Sequence, residues 1–449
     1  MASISPTLDR IKRDLEPFLP EDSILAACRQ VGHRWRKRQF DPVATLHLFI
    51  LQILCFNTAI THLRHLAKVP MTAAAYCKAR LRLPLAALQM LLRDSAAAMA
   101  VRARAGARRQ GYWHGLRTWL TDGSGTLAPD TPELQKQFPQ SRSQKKGCGF
   151  PQLKLLGLFD AFSGLVVEVL CFSLYSHEQA KVWKLHPLLG KGDLLVGDRG
   201  LCSYVHLAML HLREILGLFR MHQLKIVDFR PHRKSRRKGQ KGRPRSKYLK
   251  RLGKHDQLVQ WLRPPRPPKW MHAQQWALLP GSLVVRELRY TLKAKGQRTR
   301  VVTIVTTLLD PVLYPKDQIA ALYGIRWTVE THFAELKTTL KMRTVKSRTA
   351  AGAQKEVAVY ALVYNLVHVV MLEAARRQKV SPQRISFIDT VRWLLSAQPG
   401  EPLPSLVINP PRPDRHEPRV IKDRHDSYQR MTRPRAELRK VLKKQAKEA

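Results

Sequence analysis

The 449-residue chain carries 79 Lys and Arg against 33 Asp and Glu, a formal charge of +46, with 44% apolar and 7% aromatic residues. At roughly 150 residues per domain the length predicts about three domains, and the composition excludes an acidic, disordered or collagen-like chain. So large an excess of cations repels itself in the compact state and is tolerated best beside a polyanion, which puts nucleic acid ahead of an anionic membrane as partner.

The N-terminal stretch Met1 to Pro20 carries Asp9, Asp14 and Glu16 and has no apolar h-region. Neither a signal peptide nor a transit peptide is therefore expected, and the protein is expected to stay in the cytoplasm. The longest apolar stretch, Val43 to Ile60, is interrupted by His47, Gln52 and Asn57; it reads as a buried helix, not a membrane span. Within it Thr45 to Ala59 is helical, followed by Ile60 to Ala67 and a break at Val69-Pro70. Thr72 can cap a further helix, Thr72 to Leu83, carrying Lys78, Arg80 and Arg82. Two short helices across a tight break read either as a helix-turn-helix with those cations in a major groove or as an ordinary helical hairpin. The Arg-rich linker Arg102 to Gln110 closes an all-α domain, residues 1–110.

From Gly111 the period changes. Arg117 to Thr121 is a strand ending in Asp122-Gly123-Ser124-Gly125; Leu153 to Phe159 and Leu165 to Phe172 are apolar strands joined through Ser163-Gly164; His177 to Leu189 has helical spacing. A fourth strand, Asp193 to Val196, runs into Gly197-Asp198-Arg199-Gly200. Tyr204 to Leu216 is an amphipathic helix, and Leu218 to Met221 a fifth strand. Three strands, a helix, a strand, a helix and a strand is the order of a ribonuclease-H-like α/β core, whose first part spans residues 111–228.

Residues 229–312 differ in composition. Phe229 to Arg251 holds twelve cations, among them Arg233, Lys234, Arg236, Arg237 and Lys238, and no acid; it reads as a basic loop open to phosphates. Pro264, Pro265, Pro267 and Pro268 stiffen a connector. Ser282 to Leu292 and Arg300 to Leu308 alternate like a β-hairpin whose turn holds Gly296, giving a β-containing insertion. After Pro315 a long helix runs to about Met342 and an apolar helix covers Lys355 to Arg376, the second part of the core, residues 313–396. Residues 397–449 form a basic, Pro-rich arm with a final short helix. The six cysteines lack any C-x-x-C pair and read as reduced core thiols.

The chemistry gathers around Glu330. Tyr323, Arg326, Glu330 and Lys337 are separated by two, three and six residues. At about 100° per residue the last three fall within about 40° of one another, with Tyr323 slightly beyond. Ile325, Val329, Phe333, Leu336 and Leu340 form the neighbouring apolar stripe, so the helix can pack on a sheet while presenting an acid flanked by cations. Taken alone, this is also what a plain amphipathic helix with a surface ion pair looks like. Asp122 and Asp198, however, each end a strand that is adjacent to the other in a ribonuclease-H-like sheet. Three converging carboxylates raise one another's pKa, a cost that divalent cations reverse, and oxygen donors favour magnesium or manganese over zinc.

These residues resemble the DDE transposases of bacterial insertion sequences, specifically the insertion-sequence-four type with the Y-(2)-R-(3)-E-(6)-K signature. Tyr323, Arg326, Glu330 and Lys337 match it in spacing and type; Asp122-Gly123-Ser124 and Asp198-Arg199-Gly200 match the contexts of the family's first and second acids. The likeness runs from about residue 30 to the Arg/Pro tail, and the β insertion falls between the second Asp and the Glu, as in the family. The resemblance implies that Asp122, Asp198 and Glu330 hold two Mg²⁺ ions, with Mn²⁺ as substitute, to cut at the element's ends and direct the freed 3′-OH at target DNA. It further implies that Arg326 and Lys337 neutralise phosphates beside the scissile bond, that Tyr323 contacts the terminal phosphate, and that a homodimer joins two terminal inverted repeats in the nucleoid. Relatives that cut through a DNA hairpin stack a flipped base on a Trp near the strand before the catalytic helix. Arg300 to Leu308 has none, and Trp261, Trp270 and Trp276 read as packing residues. The rival readings are a basic nucleic-acid-binding protein without catalysis, such as a decayed transposase, and a ribonuclease-H-like nuclease. The complete acid triad separates the first from an enzyme; the Tyr323 to Lys337 arrangement separates the second.

Overall fold

The computed structural model describes residues 18–36, 39–67, 70–104, 113–234, 244–292, 300–398, 401–410 and 431–448. Five helices open the described chain: α1 (Glu21–Gln30), α2 (Pro42–Leu54), α3 (Ile60–Ala67), α4 (Ala73–Arg82) and α5 (Leu85–Arg104). Asp41 caps α2 by accepting from the Ala44 amide, and Thr72 caps α4 by accepting from the Ala75 amide. Every residue of α2 except Ala44 is buried. His47, Gln52 and the following Asn57 are buried too, which is the internal-helix outcome their polarity foretold. α5 packs against the first sheet edge and the long core helix α12 (Ala350–Gln378).

One nine-stranded mixed sheet forms the centre, in the order β3-β2-β1-β4-β5-β9-β8-β7-β6. Its first half is β1 (Thr118–Leu127), β2 (Gln152–Asp160), β3 (Val166–Ser173), β4 (Leu194–Gly197) and β5 (Leu216–Arg220). β1 to β2 and β2 to β3 are antiparallel, β1 to β4 and β4 to β5 parallel. That 3-2-1-4-5 order is the ribonuclease-H-like core expected from the sequence. Both faces are covered, so the strands alternate between two cores: Leu120, Leu194 and Val196 face α12 and the N-terminal helices. Trp119 and Leu195 face the other layer, with α8 (Tyr204–His211). Between β1 and β2 lies α6 (Pro132–Gln137), and between β3 and β4 the four-residue α7 (Gln179–Val182) with a 3₁₀ turn, Trp183–Leu188.

The insertion is less separate than its composition suggests. β6 (Lys247–Gly253), β7 (Asp256–Leu262), β8 (Ser282–Leu292) and β9 (Arg300–Thr306) extend the same sheet, because β9 pairs antiparallel with β5. The basic loop expected through Arg251 thus ends earlier. Lys247, Lys250 and Arg251 sit on β6, an edge strand whose exposed face accepts cations that a central strand would reject. α9 (Ala273–Leu278) lies between β7 and β8.

The long helix expected from Pro315 to Met342 is segmented into α10 (Lys316–Ile325), α11 (Thr328–Ala334) and a π turn, Glu335–Thr339. At the joint, the Trp327 and Glu330 amides bond three residues back, to Gly324 and Trp327. The helix therefore tightens before Glu330 and widens after it. α12 is long and apolar enough to cross a membrane, but 83% of that window is buried, so it is the core helix. α13 (Phe387–Ser396) packs on it. The final α14 (Arg435–Glu448) is reached through Arg435, whose guanidinium meets Asp130 at 3.3 Å and the Gly149 carbonyl at 2.9 Å. All six cysteines are free thiols, but Cys77 is exposed on α4 and so is not the core thiol expected.

Candidate active site

Parallel pairing of β1 and β4 ends at Thr121 opposite Gly197. The next residue on each strand is an acid, so Asp122 and Asp198 emerge side by side from neighbouring strands about 5 Å apart. One expectation needs correction: β1 does not turn at Asp122 but continues to Leu127 against β2, with Asp122 opposite Gly157. The small residues Gly123, Ser124 and Gly125 continue as strand and leave the space above them open as a cleft of about 840 Å³. After β4 the chain does turn, and Asp198 holds that turn by accepting from the Gly200 amide at 2.8 Å.

The segmented helix crosses this point. Arg326 is buried, and its guanidinium donates to Asp122 Oδ2 at 2.8 Å and to Glu330 Oε1 at 3.4 Å. Glu330 itself is about half exposed and faces the cleft. Lys337, about two turns on, reaches Ser124 Oγ at 3.3 Å, and burial lowers its pKa. The ring of Tyr323 is 4% exposed, and its hydroxyl has no partner among the described residues. The four signature residues and Asp122 and Asp198 are therefore brought to one place.

The helix is fixed from behind. Glu335 in the π turn lies 3.2 Å from His368 Nε2 and 3.6 Å from His332 Nδ1, and the Tyr364 hydroxyl meets His332 Nδ1 at 2.8 Å. Two imidazoles so placed hold the Glu335 carboxyl down to about 2 despite its burial. Gly164, at φ +72° in the β2–β3 turn, approaches this group so closely that a Cβ would lie 3.1 Å from His368 Nδ1.

Burial pushes the Asp122 carboxyl up to about 6; the Gly123 amide and Arg326 oppose the rise, while Asp198 and Glu178 add to it. The rise is chiefly a cost of burial, since the Arg326 guanidinium already stands against the carboxylate. The donors are carboxylate oxygens, the set that hard divalent cations take, and the buried Tyr323 hydroxyl, Arg326 Nε and Thr121 Oγ1 have no partner among the described residues. The residues present fit a divalent ion beside a phosphate.

Sequence reasoning missed Lys154, Glu178 and Arg343. Lys154 and Arg343 line the cleft, and Glu178 pairs with Lys154 at 3.2 Å. The alternation of β2 could have placed Lys154; nothing local placed Glu178. Two expected DNA contacts are turned inward. Arg80 lies over the Phe49 ring at 3.7 Å and donates to Gln52 and Ser347, tying α4 to the core beside buried Glu356. Arg233 donates to the Asp228 carbonyl and to both oxygens of Ser246, joining the two ends of the basic segment. Side-chain acceptors hold the Arg80 guanidinium, and backbone and side-chain acceptors together hold that of Arg233. Lys78, Arg82 and Lys234 are exposed, whereas Arg236, Arg237 and Lys238 lie outside the described residues. Trp261 is buried and donates to Glu287 at 3.0 Å, with Trp270 and Trp276 partly buried in the same core, so all three pack as expected.

Residues 113–366, more than half of the chain, match the family described as Transposase DDE domain. The chain is 26% identical over 336 residues to the transposase InsG for insertion sequence element IS4 of Escherichia coli (strain K12), covering 71% of this chain and 70% of that protein. Among solved structures it is similar to a piggyBac transposase synaptic complex with hairpin DNA, with a TM-score of 0.43 and 10% identity over 88% of this chain and 80% of that one.

Proposed function

The chain belongs to the DDE-domain transposases, and from that premise we propose that Asp122, Asp198 and Glu330 together hold two Mg²⁺ ions, or Mn²⁺ in their place, at the cleft. It is a DNA transposase, an enzyme that cuts and rejoins DNA. The single observation that carries the assignment is the convergence of Asp122 and Glu330 on one guanidinium, that of Arg326, with Asp198 emerging beside Asp122 from the adjacent strand.

Divalent ions, when bound, activate the attacking oxygen and neutralise the leaving one in an in-line displacement at phosphorus. The chain's own part is positional. Asp122 and Asp198, fixed by β1 and β4, set the floor of the site, and Glu330 closes it from the helix. Arg326 keeps Asp122 and Glu330 from repelling each other and offers its unpartnered Nε to a phosphate oxygen. Lys337, held over β1 by Ser124, neutralises a phosphate beside the scissile bond. Tyr323 supplies a buried hydroxyl to the terminal phosphate. Exposed Lys78, Arg82 and Lys234 grip the DNA backbone away from the site, with Arg236, Arg237 and Lys238 continuing the basic segment. A homodimer bringing two inverted repeats together, acting on the nucleoid in the cytoplasm, completes the reading.

The test is Mg²⁺-dependent cleavage of a plasmid carrying the gene's own flanking DNA, with Glu330→Gln as comparison. Specific 3′-OH ends made by the native protein and lost in the variant, with DNA binding unchanged, are expected. Cleavage that survives the substitution overturns the placement of the third ligand.

A further inference from the structure

A fourth carboxylate lies beside Asp122 and Asp198, brought there from an unrelated part of the chain. Glu178 precedes α7, the short helix after β3. A Cβ on Gly123 would lie 2.3 Å from Glu178 Oε1, and one on Gly200 would lie 3.6 Å from Glu178 Oε2. The carboxylate therefore spans from the residue after Asp122 to the residue two beyond Asp198. Its approach is built in: only glycine at position 123 leaves room for it. Gln179 donates to the Gly200 carbonyl at 2.8 Å, tying the start of α7 to the Asp198 turn. The charge facing Glu178 is Lys154 Nζ at 3.2 Å, in an ion pair whose side chains are 28% and 22% exposed.

Resting on the metal reading above, we propose that Glu178 is a further oxygen donor to the divalent ion held between Asp122 and Asp198, and that Lys154 holds its carboxylate in position until the ion arrives. Placing a third acid beside two others raises the cost of ionising all of them unless a cation joins them. Lys154 is a single charge on a long, partly solvated stem, so it can swing aside for a divalent ion without leaving a buried charge behind. An octahedral Mg²⁺ completes its shell with water where the protein offers no oxygen, and a Glu178 carboxylate would take one of those positions.

The experiment is calorimetric titration of Mn²⁺ into the full-length, chelator-stripped protein, comparing the native chain with Glu178→Gln, Glu178→Asp, Lys154→Met and Asp122→Asn. Glu178→Gln is expected to weaken Mn²⁺ binding about tenfold and to raise the Mg²⁺ concentration for half-maximal cleavage by a similar factor. Glu178→Asp should recover part of the loss. Lys154→Met removes the same ion pair but no donor, so its Mn²⁺ affinity should equal or exceed the native value. Native Mn²⁺ affinity in Glu178→Gln, with the loss confined to Asp122→Asn, would overturn the proposal and leave the triad reading standing. Equal losses in Glu178→Gln and Lys154→Met would also overturn it, since the pair would then act only as a strut. If Asp122→Asn binds Mn²⁺ like the native protein, the triad reading fails and this inference with it.

Discussion

Replacing Asp122 by Asn should make the metal-free protein more stable at pH 8, although it removes the carboxylate that Arg326 contacts. Asp122 is largely buried, and its carboxyl is pushed from 3.8 up to about 6 by that burial, even after the help of Arg326 and the Gly123 amide. Between those two values the folded protein holds a proton that the unfolded chain has released, so stability falls as pH rises through this window and is flat above it. The span is worth about 3 kcal/mol at pH 8 as an upper figure, and roughly half of that at pH 5. Asn keeps the shape of the protonated acid and never ionises. At about 2–4 °C per kcal/mol for a cooperative unit of 150–250 residues, the gain at pH 8 is at most roughly 6–12 °C. Thermal unfolding of both proteins in chelator at pH 8 and pH 5 measures it, and Mn²⁺ at pH 8 should then raise the native midpoint but not that of the variant. A variant less stable than the native protein at pH 8, or a gain equal at both pH values, would refute the reasoning that the site stores the cost of an uncompensated acid.

Removing the guanidinium with Arg326→Gln should let the Asp122 carboxyl rise further. The pH at which Mn²⁺ affinity reaches half its plateau should therefore move upward, an effect that a purely steric role for Arg326 would not produce. Arg80→Ala should cost about 2 kcal/mol in unfolding free energy, from the lost stacking on Phe49 and the hydrogen bonds to Gln52 and Ser347. By contrast, Lys78→Ala with Arg82→Ala should leave the unfolding midpoint unchanged, weaken DNA binding, and reduce the slope of log affinity against log salt by roughly one for each cation removed.

The legible parts of this molecule are those written in short-range patterns. The 3.6-residue stripe specified a helix with one apolar face, buried from Val329 to Leu340 though its first member, Ile325, is exposed, and the spacing of Arg326, Glu330 and Lys337 put them on its margin. The tightening at Trp327 and the widening over Glu335–Thr339 leave them on that margin. The apolar runs of β2, β3 and β4 gave their own strand character, and the element order carried the ribonuclease-H-like topology. What stayed illegible depends on contacts between segments distant in sequence. The composition of Phe229 to Arg251 said only that the segment is cationic, whereas its far end is an edge strand because β9 found β5 and the insertion extended the sheet. Arg80 and Arg233 look like any exposed cation in the sequence, and only tertiary packing brought Gln52, Ser347 and Ser246 to them. Glu178 is the plainest case: an acid just before a short helix acquires its place beside Asp122 and Asp198 because the return of the chain from β3 to β4 carries it past Gly123 of β1 and the turn after β4. Local periodicity fixes which face of an element is apolar at the cost of a few residues' conformation, but which side chains meet across that face depends on long-range closure, and no pattern within one segment encodes it.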